Sequence, residues 1–300
     1  MRHILIPGLV LALAVAGCSS DEPEALESPS TTAATTTTAP AATSTSFPGF
    51  EPGTFPANLE FEGATRSFLF TVPESYDGAT PMPVIVSLHG AGSTADAQAT
   101  GSGMALLAAE RGYFALHPQA DGDQTWNVAS DSRDVRFILG LLDQMEANFP
   151  LDASRIFVAG LSNGAGLANR LACDHPDRVA GIAGIAGAYD GGSDCSPAES
   201  VSVLAVHSLS DFVVPYQGAP PDYPNVGEWA AEWADRNGCG EPGVTENDNG
   251  TISEWTNCSS PVALYTLDLG GHTWFPQIER VDGSVVSTTE VILDWFDGLG

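Results

Sequence analysis

Arg155-Ile156-Phe157-Val158-Ala159-Gly160-Leu161-Ser162-Asn163-Gly164-Ala165-Gly166-Leu167-Ala168 reads as an apolar strand that runs directly into a glycine-bounded turn and then into a helix. Within it, Gly160-Leu161-Ser162-Asn163-Gly164 matches the pattern G-x-S-x-G in the strand-turn-helix setting that this pattern requires. Such a turn forces its serine into a strained backbone and lifts the hydroxyl above the end of a sheet, so the flanking positions must carry no bulk. The helix that follows offers amide donors, and the positive end of its dipole, to negative charge developing beside the serine. Three fixed positions in five also arise by chance as a tight loop in a glycine-rich chain. The setting between strand and helix carries the reading.

Working outward, Pro83-Val84-Ile85-Val86-Ser87-Leu88-His89 is a continuous apolar run between proline and glycine, the mark of a central strand buried on both faces. The patterns predict further strands over Ser67–Val72, Tyr113–His117, Arg155–Ala159, Val179–Ala186, Val201–His207 and Val262–Leu269. Between them fall helical patterns over Ala95–Arg111, Ser132–Asn148, Leu167–His175, Gly227–Asn237 and Thr289–Leu299. In the second of these, Val135, Ile138, Leu139, Leu142, Met145 and Phe149 recur at spacings of three and four and form one apolar stripe, opposite Asp143, Gln144 and Glu146. Strand and helix in alternation imply the α/β class: a mostly parallel central sheet with helices on both faces. There is no internal repeat, and one domain accounts for the folded part.

The start of the chain has a different character. Arg2, the apolar run Ile4–Ala16 and then Val15-Ala16-Gly17-Cys18 make a secretory signal over residues 1–17, too short to span a bilayer comfortably. Small residues directly before Cys18 resemble the bacterial lipobox, in which the cysteine is lipidated; an ordinary signal peptide is the alternative, and both export the chain. Residues 18–50, rich in Thr, Ala, Ser and Pro, have little to bury and form a tether, leaving 51–300 as the catalytic domain. The net charge is −28, from 38 acidic residues against 10 arginines and no lysine. Such a surface repels nucleic acid and anionic headgroups, so membrane contact is expected through the lipid anchor alone. Besides Cys18, the cysteines are Cys173, Cys195, Cys239 and Cys258, an even number in an oxidising compartment. Of three possible pairings, Cys173–Cys195 and Cys239–Cys258 close the shortest loops.

A serine hydroxyl is a poor nucleophile at neutral pH, so Ser162 needs a histidine base and a carboxylate that holds the histidine in the right tautomer. The expected chain order is Ser, then acid, then His. His175, His207 and His272 follow the serine. His175 precedes Pro176 at a helix end, and His207 ends an apolar strand as a buried residue near the site. His272 sits in Leu269-Gly270-Gly271-His272-Thr273-Trp274, a loop just past a strand, and is the candidate base. Asp211 lies four residues beyond the strand ending at His207 and is the candidate acid; Asp190 and Asp194 compete weakly. For an oxyanion hole, the amides of Asn163, after the serine, and Ala91, in His89-Gly90-Ala91-Gly92, are the candidates. Asp121-Gly122-Asp123 is an acidic turn without further ligands, and no metal site or cofactor is expected.

These segments together resemble the exported esterase family that includes poly(3-hydroxybutyrate) depolymerases, feruloyl esterases and acetylxylan esterases. The resemblance spans roughly Phe68 to Phe296 and rests on Leu88-His89-Gly90, Trp126-Asn127, Asp134-Val135, Asp152 to Val158, the Gly160–Gly164 turn, Asp211-Phe212-Val213-Val214-Pro215-Tyr216, Asn237-Gly238-Cys239 and Gly271-His272-Thr273-Trp274. It implies the α/β-hydrolase fold, Ser162, Asp211 and His272 in the triad positions, Ala91 and Asn163 in the oxyanion positions, and Trp126 and Trp274 lining the substrate cleft. Simple loop packing is the competing reading of both tryptophans. The chain departs from the family at His207-Ser208-Leu209-Ser210, where His-Gly-Thr is common, and at Phe275-Pro276, where Pro-Gly is usual. The expected substrate is a hydroxyalkanoate, hydroxycinnamoyl or acetyl ester, cleaved by a monomer. A serine peptidase of the same fold and a non-catalytic surface-binding lipoprotein are the alternatives.

Overall fold

The structure, a computed structural model, describes residues 51–190, 195–197 and 199–299. The signal segment, Cys18, the tether and the competing Asp194 lie outside the described residues.

A ten-stranded sheet organises the chain, in the order β1-β2-β4-β3-β5-β6-β7-β10-β9-β8. Its middle consists of β4 (Phe114–Pro118), β3 (Met82–Leu88), β5 (Leu151–Leu161), β6 (Gly181–Ile185), β7 (Ser202–Ser208) and β10 (Val262–Leu267), all parallel. An antiparallel hairpin flanks each side: β1 (Gly53–Phe61) with β2 (Ala64–Val72), and β8 (Gly243–Asn247) with β9 (Gly250–Trp255). A small second sheet pairs β11 (Ile278–Glu279) with β12 (Val285–Val286).

Side chains alternate across the parallel strands and so feed two cores. Val84, Val86, Val158, Val203 and Ala205 join α3 (Arg133–Asn148), α4 (Asn163–Asp174) and α5 (Val226–Arg236) on one face. Ile85, Phe157, Ala159, Leu204 and Val206 join α2 (Met104–Glu110) and α6 (Thr288–Asp297) on the other. This is the α/β-hydrolase architecture. The α3 stripe packs as its spacing requires, with Val135, Ile138, Leu142, Met145 and the following Phe149 buried and Leu139 at the margin; Phe137 and Leu141 are buried as well. At the start of α3 a buried ion pair, Arg66 Nη2 to Asp134 Oδ1 at 2.9 Å, leaves Asp134 Oδ2 to accept the Asn127 amide at 2.8 Å.

One expectation needs correction. The helix predicted over Ala95–Arg111 is two helices, α1 (Ala95–Gly101) and α2, because Gly103 turns into the left-handed region (φ +69°) and the Ser102 hydroxyl accepts the Met104 amide. Of the edge hairpins the sequence marks only β2, as Ser67–Val72: β1 and β8 are largely exposed, so their apolar alternation is weak. Glu62-Gly63, both at positive φ, marks the first turn.

The cysteines pair as the short-loop reading expected: Cys173, in the last turn of α4, with Cys195, and Cys239, just past α5, with Cys258. Sequence separations of 22 and 19 residues make each bridge worth about 3 kcal/mol by the chain-entropy argument.

His117, in β4, is fully buried, neither of its ring nitrogens has a partner among the described residues, and burial pushes its pKa down to about 3. The unfolded chain therefore binds a proton between pH 6.5 and about 3 that the folded protein refuses. Stability is full above pH 6.5 and is lost as pH falls through that window, at up to about 1.4 kcal/mol per unit. Denaturant unfolding from pH 7 to pH 4 should show the native chain losing up to ~3 kcal/mol more than His117→Leu. Parallel curves for the two would remove His117 as the cause.

Candidate active site

The residues nominated from the sequence gather where parallel strands end, the usual location of sites in open α/β sheets. Ser162 stands between β5 and α4 at φ +54° and ψ −118°, a conformation costly for any residue with a side chain. Three backbone bonds hold it there: its amide donates to Ile185 O at 2.9 Å, and its carbonyl accepts from Gly166 at 3.1 Å and Ala188 at 3.0 Å. The flanking glycines are steric requirements. A Cβ on Gly160 would lie 2.3 Å from the Gly164 carbonyl carbon, and one on Gly164 would lie 2.5 Å from Leu88 O. Since both clashes are with backbone, Gly164→Ala should destabilise the fold by at least ~3 kcal/mol, measured by thermal and denaturant unfolding. A stable Gly164→Ala protein would mean that the turn has room the geometry denies.

Two strands away, Asp211 lies just beyond β7, buried, with Oδ1 accepting the amides of Val213 and Val214, both at 2.9 Å. His272 follows β10 after Gly270 and Gly271, both at positive φ, and its Nδ1 sits 2.7 Å from Asp211 Oδ2. That contact puts the imidazole proton on Nδ1 and leaves Nε2 as the free base. Ser210 Oγ accepts the Gly271 amide at 3.2 Å and meets Ser208 Oγ at 3.0 Å, which ties the loop of the aspartate to the loop of the histidine. Among the described residues, the Ser162 hydroxyl is not hydrogen-bonded to the imidazole. His207 is buried against Asp211, with Nε2 3.3 Å from Oδ2 and 2.9 Å from Val214 O.

The loop after β3 is braced from below. His89 is fully buried; its Nε2 accepts the Ala120 amide at 3.1 Å, so its Nδ1 carries the proton and donates to Gly90 O at 2.8 Å. Burial keeps this imidazole neutral by lowering its pKa. Ala91 follows, exposed at the tip of the loop. A Cβ on Gly90 would come 3.5 Å from Ser162 Cβ, so loop and serine are direct neighbours. Asn163 opens α4, where first-turn amides have no acceptor within the helix.

Residues 69–220, just over half the chain, match the family described as Esterase PHB depolymerase. The chain belongs to that family. Its relatives include the "Probable feruloyl esterase C" of Aspergillus niger, 25% identical over 228 residues (70% of this chain and 77% of that one). The feruloyl esterase B of Piromyces equi is 30% identical over 231 residues, covering 69% of this chain and 42% of the relative. Among solved structures, an acetyl xylan esterase from Aspergillus awamori shares the fold with a TM-score of 0.56 at 18% identity, over 78% of this chain and 94% of that one.

In this Esterase PHB depolymerase family member Trp126 sits differently from the cleft-lining expectation. Trp126 is only 2% exposed: its Nε1 donates to His89 O at 2.9 Å, and its backbone exchanges two hydrogen bonds with the Asn163 side-chain amide, at 2.7 and 3.1 Å. The ring braces the loops and has no free face for substrate, which corrects that assignment. Trp274 is half-buried, donates to Thr289 Oγ1 at 3.0 Å and packs on the second core. The apolar groups exposed on the two loops are instead Leu209, Phe212 (91% exposed), Val213 and Leu269. Asp211-Phe212-Val213-Val214 was read for its acid alone; the exposed pair inside it was legible in the sequence, since strand burial had already ended. Among the described residues, no three His, Cys, Asp or Glu side chains converge to hold a metal ion.

Proposed function

We propose that this chain is an exported serine carboxylesterase that works through an acyl-enzyme. The observation that carries the reading is the Asp211–His272 hydrogen bond, formed at the same end of the sheet at which Ser162 is held at positive φ. In the first step His272 Nε2 takes the Ser162 proton as Oγ attacks the ester carbonyl. The amides of Ala91 and Asn163 receive the oxyanion, and the imidazolium, its Nδ1–H on Asp211, returns the proton to the departing alcohol. Water then repeats the sequence on the acyl-serine and releases the acid. The Ser162–imidazole contact closes in the Michaelis complex, as such bonds do.

The acyl group is expected to be apolar or aromatic, because Leu209, Phe212 and Val213, exposed beside Asp211 in the loop after β7, put apolar surface next to the acid of a strongly acidic protein. The same acidity repels the carboxylate product and favours its departure. Export rests on the residue 1–17 signal, with Cys18 as the lipidation site, and two disulfides suit an oxidising compartment.

The test is hydrolysis of p-nitrophenyl acetate and butyrate, methyl ferulate, acetylated xylan and hydroxybutyrate oligomers, with intact-protein mass spectrometry during turnover. Turnover of the butyrate, ferulate or oligomer above acetyl esters, with an acyl adduct on Ser162, is the expected result. No turnover of any ester would return the chain to the surface-binding reading.

A further inference from the structure

His207 is the penultimate residue of β7, 1% exposed, and pairs with Thr266 in β10, so it stands on the strand that leads to Asp211, beside the strand that leads to His272. Its Nε2 faces two acceptors, Val214 O at 2.9 Å and Asp211 Oδ2 at 3.3 Å. A ring nitrogen between a carbonyl and a carboxylate must carry hydrogen. Burial lowers the proton affinity of this ring, so it is neutral, and its Nδ1 is a bare lone pair without a partner among the described residues. The groups facing it are Asp211, His272 and the edge of Tyr216, whose ring centroid lies 6.0 Å away.

The carboxylate needs such a neighbour. The amides of Val213 and Val214 hold Oδ1 only, and a carboxylate fixed at one oxygen can still pivot. Oδ2, the oxygen that receives His272 Nδ1–H, has His207 Nε2 3.3 Å away on the protein side, in a ring whose hydrogen bond runs to Val214 O. A neutral donor does this without adding a positive charge that would oppose the imidazolium formed on His272 during acyl transfer.

We propose that His207 is a positioning residue: its Nε2–H, shared between Val214 O and Asp211 Oδ2, fixes the carboxylate oxygen on which His272 is oriented. This rests on the reading of Asp211 as the acid of the triad. The role acts through Asp211 and touches no reacting atom, so its loss falls on kcat and leaves KM nearly unchanged.

The first measurement uses the native protein. Nitrogen-15 spectra of the histidine rings should show His207 as the neutral Nε2–H tautomer, and an Nδ1–H or doubly protonated ring at neutral pH overturns the proposal whatever the variants do. The second compares His207→Leu with His207→Gln on p-nitrophenyl butyrate, with unfolding curves to confirm that each is folded. The leucine variant should lose about ten- to hundredfold in kcat with KM within threefold. Its downfield His272 Nδ1–H proton signal should broaden, while glutamine, which keeps an N–H donor, should recover much of the rate. A folded His207→Leu with native kcat and an undisturbed signal sinks the idea. Asp211→Ala separates the two failures: if it too keeps full activity the triad reading is wrong, whereas if it alone is inactive only the role of His207 falls.

Discussion

Ser162→Ala is expected to lower kcat by about 10⁵- to 10⁶-fold while leaving the fold intact, the loss typical of removing a nucleophile whose partners act as a unit. Alanine keeps the Cβ and so keeps the strain of φ +54°, and the three bonds that hold the turn use backbone atoms alone. KM should change little, because the substitution leaves the backbone amides of Ala91 and Asn163 and the exposed apolar side chains untouched. The acyl adduct seen by mass spectrometry should vanish. Glycine at the same position relieves the strain: Ser162→Gly should be equally inactive but more stable than Ser162→Ala by about 1 kcal/mol. Appreciable ester turnover by a folded Ser162→Ala protein would exclude a serine mechanism at this turn.

Asp211→Asn is expected to cost about 10⁴-fold in kcat, far more than an isosteric change of one atom suggests. The reason lies in how the carboxylate is held. Oδ1 accepts two amides, from Val213 and Val214, so an asparagine must put its carbonyl oxygen there. Its NH₂ then occupies the place of Oδ2, 2.7 Å from His272 Nδ1. Two donors cannot face each other, so His272 shifts its proton to Nε2 and can no longer accept one from Ser162. Thermal unfolding should change little beside the kinetic loss. If Asp211→Asn retained a tenth of the native rate, Asp211 would not be the residue that sets the tautomer.

The parts of the site legible in the sequence were those announced by local pattern. Gly160-Leu161-Ser162-Asn163-Gly164 is contiguous, and its two glycines are demanded by clashes within a few residues or with the adjacent strand. Asp211 and His272 were nominated because each follows an apolar strand, and the ends of parallel strands point the same way. The packing of Trp126 was not legible, since its neighbours, His89 and Asn163, are 37 residues distant in either direction. Nor was the approach of His207 to Asp211: the strand pattern marked it as buried, but nothing in it says which atom the ring meets.

The fold divides along the same line. Continuous apolar runs such as Pro83–His89, and the three-and-four spacing of α3, are properties of short windows, and burial on both faces leaves no doubt about a central strand. The order of strands, the exposed hairpins β1–β2 and β8–β9, and the break between α1 and α2 depend on pairing across the chain or on one hydroxyl and one left-handed glycine. Composition and periodicity thus settled the class of the fold, and local pattern nominated Ser162, Asp211 and His272 as candidates, because hydrophobic burial and backbone sterics act locally. Which side chains brace the loops and which atoms His207 approaches were settled by long-range packing, where hydrogen bonds form between residues that the linear order keeps apart.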